Sequence, residues 1–277
     1  MNIFQAIILG IIEGLTEFLP ISSTGHLIIA EKILGISSSS QFFITIIQLG
    51  AISASVYYFR KKIIEIFKDT LKLKNKKFSL KSASTNELLG LWILISIIPT
   101  LIIAYIFRKS VDQWQTSILL VACTTAIFGV VFYIIELWHK SKKENKVEIE
   151  TVKLHQLLLM GLFQSIAIVP GVSRSGITIA GGLLQNIKIK DSIELSFLMG
   201  IPVIFAASIY KFLDIFKDFS FSILFMTIVG LITSFIVGFY SIKLTLGIVG
   251  KKGFFPFMIY RLLLASAILI FFFSGLL

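Results

Sequence analysis

The feature that most constrains this chain is a succession of apolar runs, each about as long as a lipid bilayer is thick. A helix needs roughly 20 apolar residues to cross the hydrocarbon core, and six segments meet that need. Their apolar residues follow one another without the period-two alternation of barrel strands, which indicates helices. With 56% hydrophobic and 15% charged residues, a soluble globular domain is excluded. The six predicted spans are 42–59, 88–107, 116–136, 193–210, 220–242 and 254–275.

Two further apolar segments, 1–34 and 153–187, are each interrupted near the middle by proline and then by small polar residues. The first half of the second segment, 156–169, would form about 21 Å of helix, which is too short to cross a hydrocarbon core of roughly 30 Å. A short helix, a polar turn and another short helix are typical of a re-entrant hairpin. Irregular backbone at that depth is stable only inside protein or beside a watery cavity. We therefore predict two re-entrant helix hairpins.

The two interrupted segments resemble each other, which indicates an internal repeat. Glutamine and glycine residues recur at one constant offset, and the prolines match after a one-residue shift. A unit with an odd number of spans inserts its second copy upside down, and sites then lie at the midplane where broken helices meet. We predict an all-α polytopic membrane protein, a single domain over 1–277, with inverted-topology repeats at 1–138 and 153–277. The matching pairs are Gln5 with Gln156, Gly10 with Gly161, and Gly25 with Gly176.

The positive charges of the chain are unevenly distributed between its loops. Of the 26 lysines and arginines, nineteen lie on the side of the 60–87 linker and five on the opposite side. This bias marks the cytoplasmic face, so the excess of basic residues reports membrane topology, not nucleic-acid binding. Both termini are then outside, and the first hairpin enters from outside. Only Arg174 and Arg261 are left within apolar segments, where an ionisable residue indicates function.

The first hairpin holds two acidic residues and a histidine beside hydroxyl groups. Glu13 and Glu17 are four residues apart on one helical face, where they can share a metal ion, face one cation or pair with neighbouring helices. Their depth favours function over capping. His26 follows Ser22 and Ser23 at a spacing that can bring imidazole and hydroxyl onto one helical turn. Activation of a serine by His26 and direct attack by His26 both remain open.

The second hairpin contains Pro170-Gly-Val-Ser-Arg-Ser-Gly-Ile-Thr178, a combination suited to binding an anion. Small residues expose backbone N–H groups at a helix N-terminus, hydroxyls add donors, and Arg174 offers a planar fork for phosphate oxygens. A packing turn is the alternative, but it gains nothing from a buried cation. Glu194 and Arg261 are interpreted as a structural pair in the later spans.

The strings EGLTEFLPISSTGHL (13–27) and PGVSRSGIT (170–178), with their separation and the apolar layout, closely resemble the undecaprenyl-diphosphatase family, the bacitracin-resistance phosphatases of bacterial cell envelopes. The resemblance extends over essentially the whole chain. It implies hydrolysis of undecaprenyl diphosphate to undecaprenyl phosphate and inorganic phosphate in the bacterial inner membrane, which recycles the lipid carrier of peptidoglycan synthesis. It also implies a divalent cation, Mg²⁺ or Ca²⁺, with Glu13 and Glu17 as its expected ligands. A homodimer is left open.

The family motifs are carried onto matching positions of this sequence without a departure. The resemblance implies catalytic roles for Glu17, Ser23, His26 and Arg174, in a site that the charge bias places facing outward. Ser23 is the favoured nucleophile, with Ser22 and Thr24 less favoured, and His26 is its base or an acid for the leaving group. The expected substrate-binding residues are Ser22, Thr24, Ser173, Arg174, Ser175, Gly176 and Thr178.

A transporter or flippase for an anionic polyprenyl phosphate lipid is the alternative, since such carriers also use inverted repeats with an anion site. The two hairpins differ in their ionisable residues, which argues against a carrier, because an enzyme needs its catalytic groups only once. Glu13, Glu17 and His26 correspond to Gln164, Ile168 and Ile177 in the second hairpin. A channel is less favoured still, because no ring of polar groups runs through the spans.

Overall fold

A computed structural model describes residues 1–36, 41–73, 83–115, 117–142, 144–215 and 221–275. Over these ranges the chain is helical, with one isolated bridge between Val147 and Ile187 in place of any sheet. The helices are α1 (Ile3–Thr16), α2 (Ser23–Ile33), α3 (Gln41–Tyr58), α4 (Arg60–Lys72), α5 (Thr85–Ser96), α6 (Ile98–Ile106), α7 (Arg108–Gln115), α8 (Ile118–Ser141), α9 (Leu154–Ser165), α10 (Arg174–Leu184), α11 (Ile189–Ile215), α12 (Phe221–Lys252) and α13 (Phe255–Phe273).

The membrane-spanning helices confirm the all-α polytopic prediction. Within the described residues, five helical segments are long and apolar enough to cross a bilayer, and a sixth is obtained if α3 and α4 count as one bent span. α5 and α6 form one of these segments, with a break at Ile97 and with Pro99 as the second residue of α6. Each of the six predicted spans overlaps one of these helical segments, although the span predicted at 220–242 continues to Lys252. The spanning segments are Thr85–Ile106, Ile118–Ser141, Ile189–Lys211, Leu224–Lys252 and Phe255–Phe273.

The helix α4 turns away from the span that precedes it. Its axis is bent by 70° from that of α3, and its sequence alternates basic and apolar residues at helical spacing. Ile64, Phe67 and Leu71 are exposed along one side of it, which is typical of a helix at a membrane surface. The rest of the basic linker, residues 74–82, lies outside the described residues, and the cytoplasmic side of the chain stays a prediction.

Both interrupted segments form the expected pair of short helices around a break. α1 ends at Thr16 and α2 begins at Ser23, while α9 ends at Ser165 and α10 begins at Arg174. Proline explains both breaks, because it lacks the N–H that a continuing helix needs. The helix–break–helix arrangement was therefore predictable, whereas the re-entrant course and the inverted orientation remain predictions.

Equivalent glutamines close the two hairpins in the same way. The amide Nε2 of Gln5 donates to the carbonyl oxygen of Leu34 at 3.0 Å, and that of Gln156 donates to the carbonyl oxygen of Gln185 at 3.0 Å. In each case the side-chain oxygen also accepts from a backbone N–H three residues earlier, at Asn2 and at Lys153. Each glutamine thus joins the start of one short helix to the end of the next. The shared hydrogen bonds support the internal repeat that the sequence predicts.

Packing surrounds the two hairpins with the longer helices. α1 contacts α3 and α12, α2 contacts α8, and α8 packs along α13. α10 is held among α8, α9 and α11. The largest cluster of buried apolar residues joins the first break to α10 and α11, through Phe18, Ile177 and Phe197 among others. The hairpin breaks are consequently inside protein, one of the two environments in which irregular backbone is stable at membrane depth.

Candidate active site at the two hairpin breaks

The backbone adopts the same unusual conformation at both breaks. Ser22 has φ 71° and ψ 99°, and Ser173 has φ 78° and ψ 109°. Left-handed φ values are uncommon for residues other than glycine and cost about 1–3 kcal/mol each, so they persist where the surroundings enforce them, often at functional sites. The next residues, Ser23 and Arg174, begin α2 and α10. Two helix N-termini, each favourable for an anion, are thereby presented from matching positions.

One guanidinium binds the backbone of both breaks. The side chain of Arg261 in α13 is fully buried. Its Nη1 donates to the carbonyl oxygen of Pro20 at 3.3 Å, and its Nη2 donates to that of Gly171 at 2.8 Å. Its Nε donates to the carbonyl oxygen of Thr125 at 2.8 Å, and Nη2 also reaches that of Thr124 at 3.4 Å. Arg261 therefore holds the two breaks together against α8.

The expectation that Arg261 pairs with Glu194 is wrong. The Arg261 guanidinium binds carbonyl oxygens, whereas the Glu194 carboxylate interacts electrostatically with Lys62. The physical reason is the helix break itself, which leaves carbonyl groups without intrahelical donors. A buried arginine with five N–H groups satisfies several of them at once.

Replacing Arg261 with methionine is expected to destabilise the fold. The substitution keeps an apolar stem of similar length but leaves buried carbonyl oxygens without donors, each worth about 1–3 kcal/mol, so a total loss of about 3 kcal/mol or more is expected. Thermal unfolding of the purified protein in detergent measures it. The matched control is Arg108→Met, since Arg108 is an arginine bonded to the carbonyl of Tyr105 at the exposed surface. Equal unfolding midpoints for Arg261→Met and wild type would contradict the structural role.

An ion pair joins the side chains of the two hairpins. Nη2 of Arg174 donates to Oε1 of Glu17 at 2.7 Å, with side-chain exposures of 13% and 7%. Nη1 of Arg174 donates to the carbonyl oxygen of Ser196 at 3.1 Å. The Nε of Arg174 is buried and has no hydrogen-bond partner within the described part of the chain. A buried donor without an acceptor is costly, so this position is suited to an incoming oxygen.

Gly200 in α11 makes room for this arginine. A Cβ atom at position 200 would collide with the guanidinium of Arg174. Any larger residue would push the arginine out of its place between α10 and α11.

Ser23 is closer to a carboxylate than to the histidine. Its Oγ donates to Oε2 of Glu17 at 3.4 Å. His26 donates from Nδ1 to the carbonyl oxygen of Ser22 at 2.7 Å, and its Nε2 lies 2.7 Å from the hydroxyl of Tyr260. The structure therefore groups Ser23 with Glu17 and Arg174, and His26 with Tyr260. Sequence reasoning had treated the tyrosines only as interfacial residues, so it missed Tyr260.

The remaining hydroxyls of the second hairpin mostly bind backbone. Ser175 donates to the carbonyl oxygen of Leu19 at 3.3 Å, and Thr178 donates to that of Arg174 at 2.7 Å. Ser173 caps α10 by accepting from the N–H of Gly176 at 3.3 Å. Ser175 and Thr178 are buried, so in this conformation they position the hairpin. Thr24, beside Ser23 at the start of α2, is half-buried.

The carboxylates fit a divalent cation only in part. Glu13 is buried, and its Oε1 has no hydrogen-bond partner among the residues described. Both oxygens of Glu17 are engaged, by Arg174 and by Ser23. Within the described ranges, no three His, Cys, Asp or Glu side chains gather closely enough to hold a metal ion. One oxygen of Glu13 is thus available, and further ligands would have to come from a bound phosphate and water.

These features define a class: an integral membrane protein with a candidate anion-binding site, in which arginine, carboxylate and serine side chains meet between two broken helical hairpins. The particular family is shown by comparison. Residues 6–267 match the family model described as bacitracin resistance protein BacA, and the chain belongs to that family. It is 39% identical to an undecaprenyl-diphosphatase of Sulfurimonas denitrificans over 98% of this chain and 100% of the relative.

Further relatives carry the same name. The chain is 35% identical to an undecaprenyl-diphosphatase of Persephonella marina, over 98% of this chain and 99% of that protein. It is 38% identical to an undecaprenyl-diphosphatase of Methanococcus aeolicus, again over 98% and 99%. The matches span essentially the full length of both partners, so the site and the spanning helices fall within the shared region.

Proposed function

We propose that this protein hydrolyses undecaprenyl diphosphate to undecaprenyl phosphate and inorganic phosphate, which recycles the lipid carrier of peptidoglycan synthesis and confers resistance to bacitracin. Family membership and the names of the relatives support the substrate. The observation that carries the proposal is the Arg174–Glu17–Ser23 chain of contacts beside two helix N-termini. It combines a phosphate-binding cation with a hydroxyl held by a carboxylate.

Binding of the diphosphate would rearrange the ion pair. Arg174 has one unpartnered donor, Nε, and a second bound to Glu17. The fork geometry of arginine matches phosphate oxygens, so an arriving diphosphate competes with Glu17 for it. Once Arg174 turns to the phosphates, the Glu17 carboxylate is no longer held in the ion pair. Substrate binding itself would then prepare Glu17 to accept a proton from Ser23.

The first half of the reaction transfers the terminal phosphoryl group to Ser23. Its Oγ forms a bond to the terminal phosphorus, and its proton moves to Oε2 of Glu17. The bond from that phosphorus to the bridging oxygen breaks, and the electron pair leaves with undecaprenyl phosphate. Arg174 and the N-terminus of α10 stabilise the charge that develops on the phosphoryl oxygens.

The second half hydrolyses the phosphoserine. Water attacks the phosphorus, and His26 accepts a proton from that water at Nε2. The bond between phosphorus and Ser23 Oγ breaks, and Glu17 returns its proton to the leaving oxygen. Inorganic phosphate departs, and one proton remains on His26. Direct attack by His26 is less favoured, because the Glu17 carboxylate is hydrogen-bonded to Ser23, whereas His26 is bonded to Ser22 and Tyr260.

A divalent cation, Mg²⁺ or Ca²⁺, forms part of this proposal. The described part of the site contains two carboxylates, Glu13 and Glu17, and two guanidiniums, Arg174 and Arg261. Their formal charges cancel before substrate binds, so the negative charge of a diphosphate would be left uncompensated in a low-dielectric site. Glu13 would hold the cation through its unpartnered oxygen, and the cation would neutralise charge on the phosphates.

The proposed membrane orientation places the first hairpin, and with it the reaction, on the outer face. This follows from the distribution of lysine and arginine. All side chains of the site come from one chain, so the proposed reaction requires no second copy. A homodimer stays an untested prediction.

The test is phosphate release from undecaprenyl diphosphate by the purified protein in detergent. We expect hydrolysis, loss of activity after removal of divalent cations with EDTA, and recovery when Mg²⁺ or Ca²⁺ is restored. If EDTA does not change the rate of hydrolysis, the reaction needs no divalent cation, and this part of the proposal is wrong. Absence of hydrolysis under every cation condition would refute the enzyme and favour the carrier alternative, which no observation on the present site supports.

A further inference from the structure

Tyr260 in α13 forms an unassigned contact with the proposed catalytic histidine. Its hydroxyl lies 2.7 Å from Nε2 of His26. The two rings are stacked, with an interplanar angle of 4° and centroids 5.6 Å apart. Tyr260 is exposed over 43% of its surface, whereas His26 is half-buried. Tyr260 is therefore the more accessible residue of the pair.

The hydrogen bonds determine which nitrogen of His26 can act. The carbonyl oxygen of Ser22 only accepts, so Nδ1 must carry the proton of that 2.7 Å hydrogen bond. In a neutral imidazole Nε2 is then the unprotonated nitrogen, and the Tyr260 hydroxyl donates to it. Because a hydroxyl both donates and accepts, the contact survives protonation of His26. The imidazolium would donate from Nε2 to the tyrosine oxygen.

Hydrolysis of a diphosphate ester needs such a connection. The substrate has one weakly acidic phosphate group and the products have two, each with a second pKa near 6, so about one proton is released per turnover above that pH. In the proposed function this proton is left on His26. It must leave before the next turnover, because a protonated His26 cannot accept a proton from another water molecule.

We infer that Tyr260 is a positioning and proton-relay residue that fixes the tautomer of His26 and carries the proton released in each turnover to water. The imidazolium gives its Nε2 proton to the tyrosine oxygen while the tyrosine gives its own proton to water at its exposed edge. No charge is left on the tyrosine, and His26 returns to the neutral form. This inference rests on the proposed function, because the proton arises from the proposed hydrolysis.

The test is Tyr260→Phe in the full-length protein, with Tyr240→Phe as matched control. Phenylalanine keeps the ring that stacks on His26 and removes only the hydroxyl. Tyr240 is an exposed tyrosine of α12 outside the site. We expect kcat to fall about tenfold with KM unchanged in Tyr260→Phe. Added imidazole, a small proton carrier, should restore kcat of this variant while leaving the wild type and Tyr240→Phe unaffected.

Three outcomes would overturn the relay: unchanged kcat in Tyr260→Phe, a fall in kcat that imidazole does not restore, or a change confined to KM. A merely structural tyrosine would not give rescue by imidazole. The wild-type assay separates this inference from the proposed function. If the wild type hydrolyses undecaprenyl diphosphate and Tyr260→Phe matches it, the relay is refuted and the function stands, whereas an inactive wild type refutes the function itself.

Discussion

Arg174→Ala is expected to lower kcat/KM for undecaprenyl diphosphate by on the order of a thousandfold, the scale of losing an arginine from a phosphoryl-transfer site. The variant loses both the fork that binds phosphate oxygens and the cation that opposes charge in the transition state. Phosphate release in detergent measures the effect. Arg108→Ala, which removes an exposed arginine bonded to the carbonyl of Tyr105, should retain wild-type activity.

The same substitution also breaks a buried ion pair, and that effect must be separated from chemistry. Without Arg174, Glu17 is a lone buried carboxylate, which costs about 3–5 kcal/mol of stability. Arg174→Ala/Glu17→Gln removes the unpaired charge, so thermal unfolding should return towards the wild-type midpoint while activity stays lost. Activity that recovers together with stability in the double variant would show that Arg174 only supports the fold. Arg174→Ala with activity within tenfold of wild type would exclude a catalytic role.

The sequence was most informative where a property is local. Proline at Pro20 and at Pro170 lies within apolar segments, and each interrupts a helix where the pattern indicated. The spans followed from apolar length alone, because the hydrocarbon core imposes it. That Glu17 could face a cation was one of the alternatives that the sequence left open, but its pairing with Arg174 was not predicted.

Contacts between distant residues lay beyond the sequence. His26 and Tyr260 are 234 positions apart, and their contact depends on how α13 packs along α8. The wrong partner for Arg261 has the same origin, since a charged residue suggests an opposite charge, whereas this one satisfies backbone carbonyls. Residue type does not reveal which backbone carbonyl groups a helix break leaves without donors. A buried arginine near two predicted breaks is nevertheless a signal for this role.

The structure also shows what the matching glutamines of the two hairpins do. Gln5 and Gln156 were markers of an alignment, but in the structure each closes its hairpin through the same hydrogen bond to the end of the second helix. The repeats differ where chemistry is concentrated. Gln164, the counterpart of Glu13, lies near Thr100 and Thr178 with its polar atoms 3.4 and 3.5 Å from their hydroxyls. One hairpin therefore provides carboxylates, while the other provides an uncharged amide at the same position.

Ser23→Ala is expected to reduce kcat by about a thousandfold or more. Among the described residues, which include the whole first hairpin, no other hydroxyl is bonded to the Glu17 carboxylate. Ser22→Ala and Thr24→Ala test the neighbouring hydroxyls, which bind substrate in the proposed function and should cost less. Folding is checked by thermal unfolding, where removal of one partly buried hydroxyl should cost only about 1 kcal/mol.

A second variant tests the phosphoserine directly. If His26 activates the water of the second half-reaction, His26→Ala still transfers a phosphoryl group to Ser23 but hydrolyses it slowly. Rapid quenching in acid followed by mass spectrometry should then find the mass of one phosphoryl group on the peptide that carries Ser23. The label should be absent from His26→Ala/Ser23→Ala. Two results together would instead indicate direct attack of water on the diphosphate. His26→Ala would turn over slowly without forming any phosphoserine, and the kcat of Ser23→Ala would stay within tenfold of wild type.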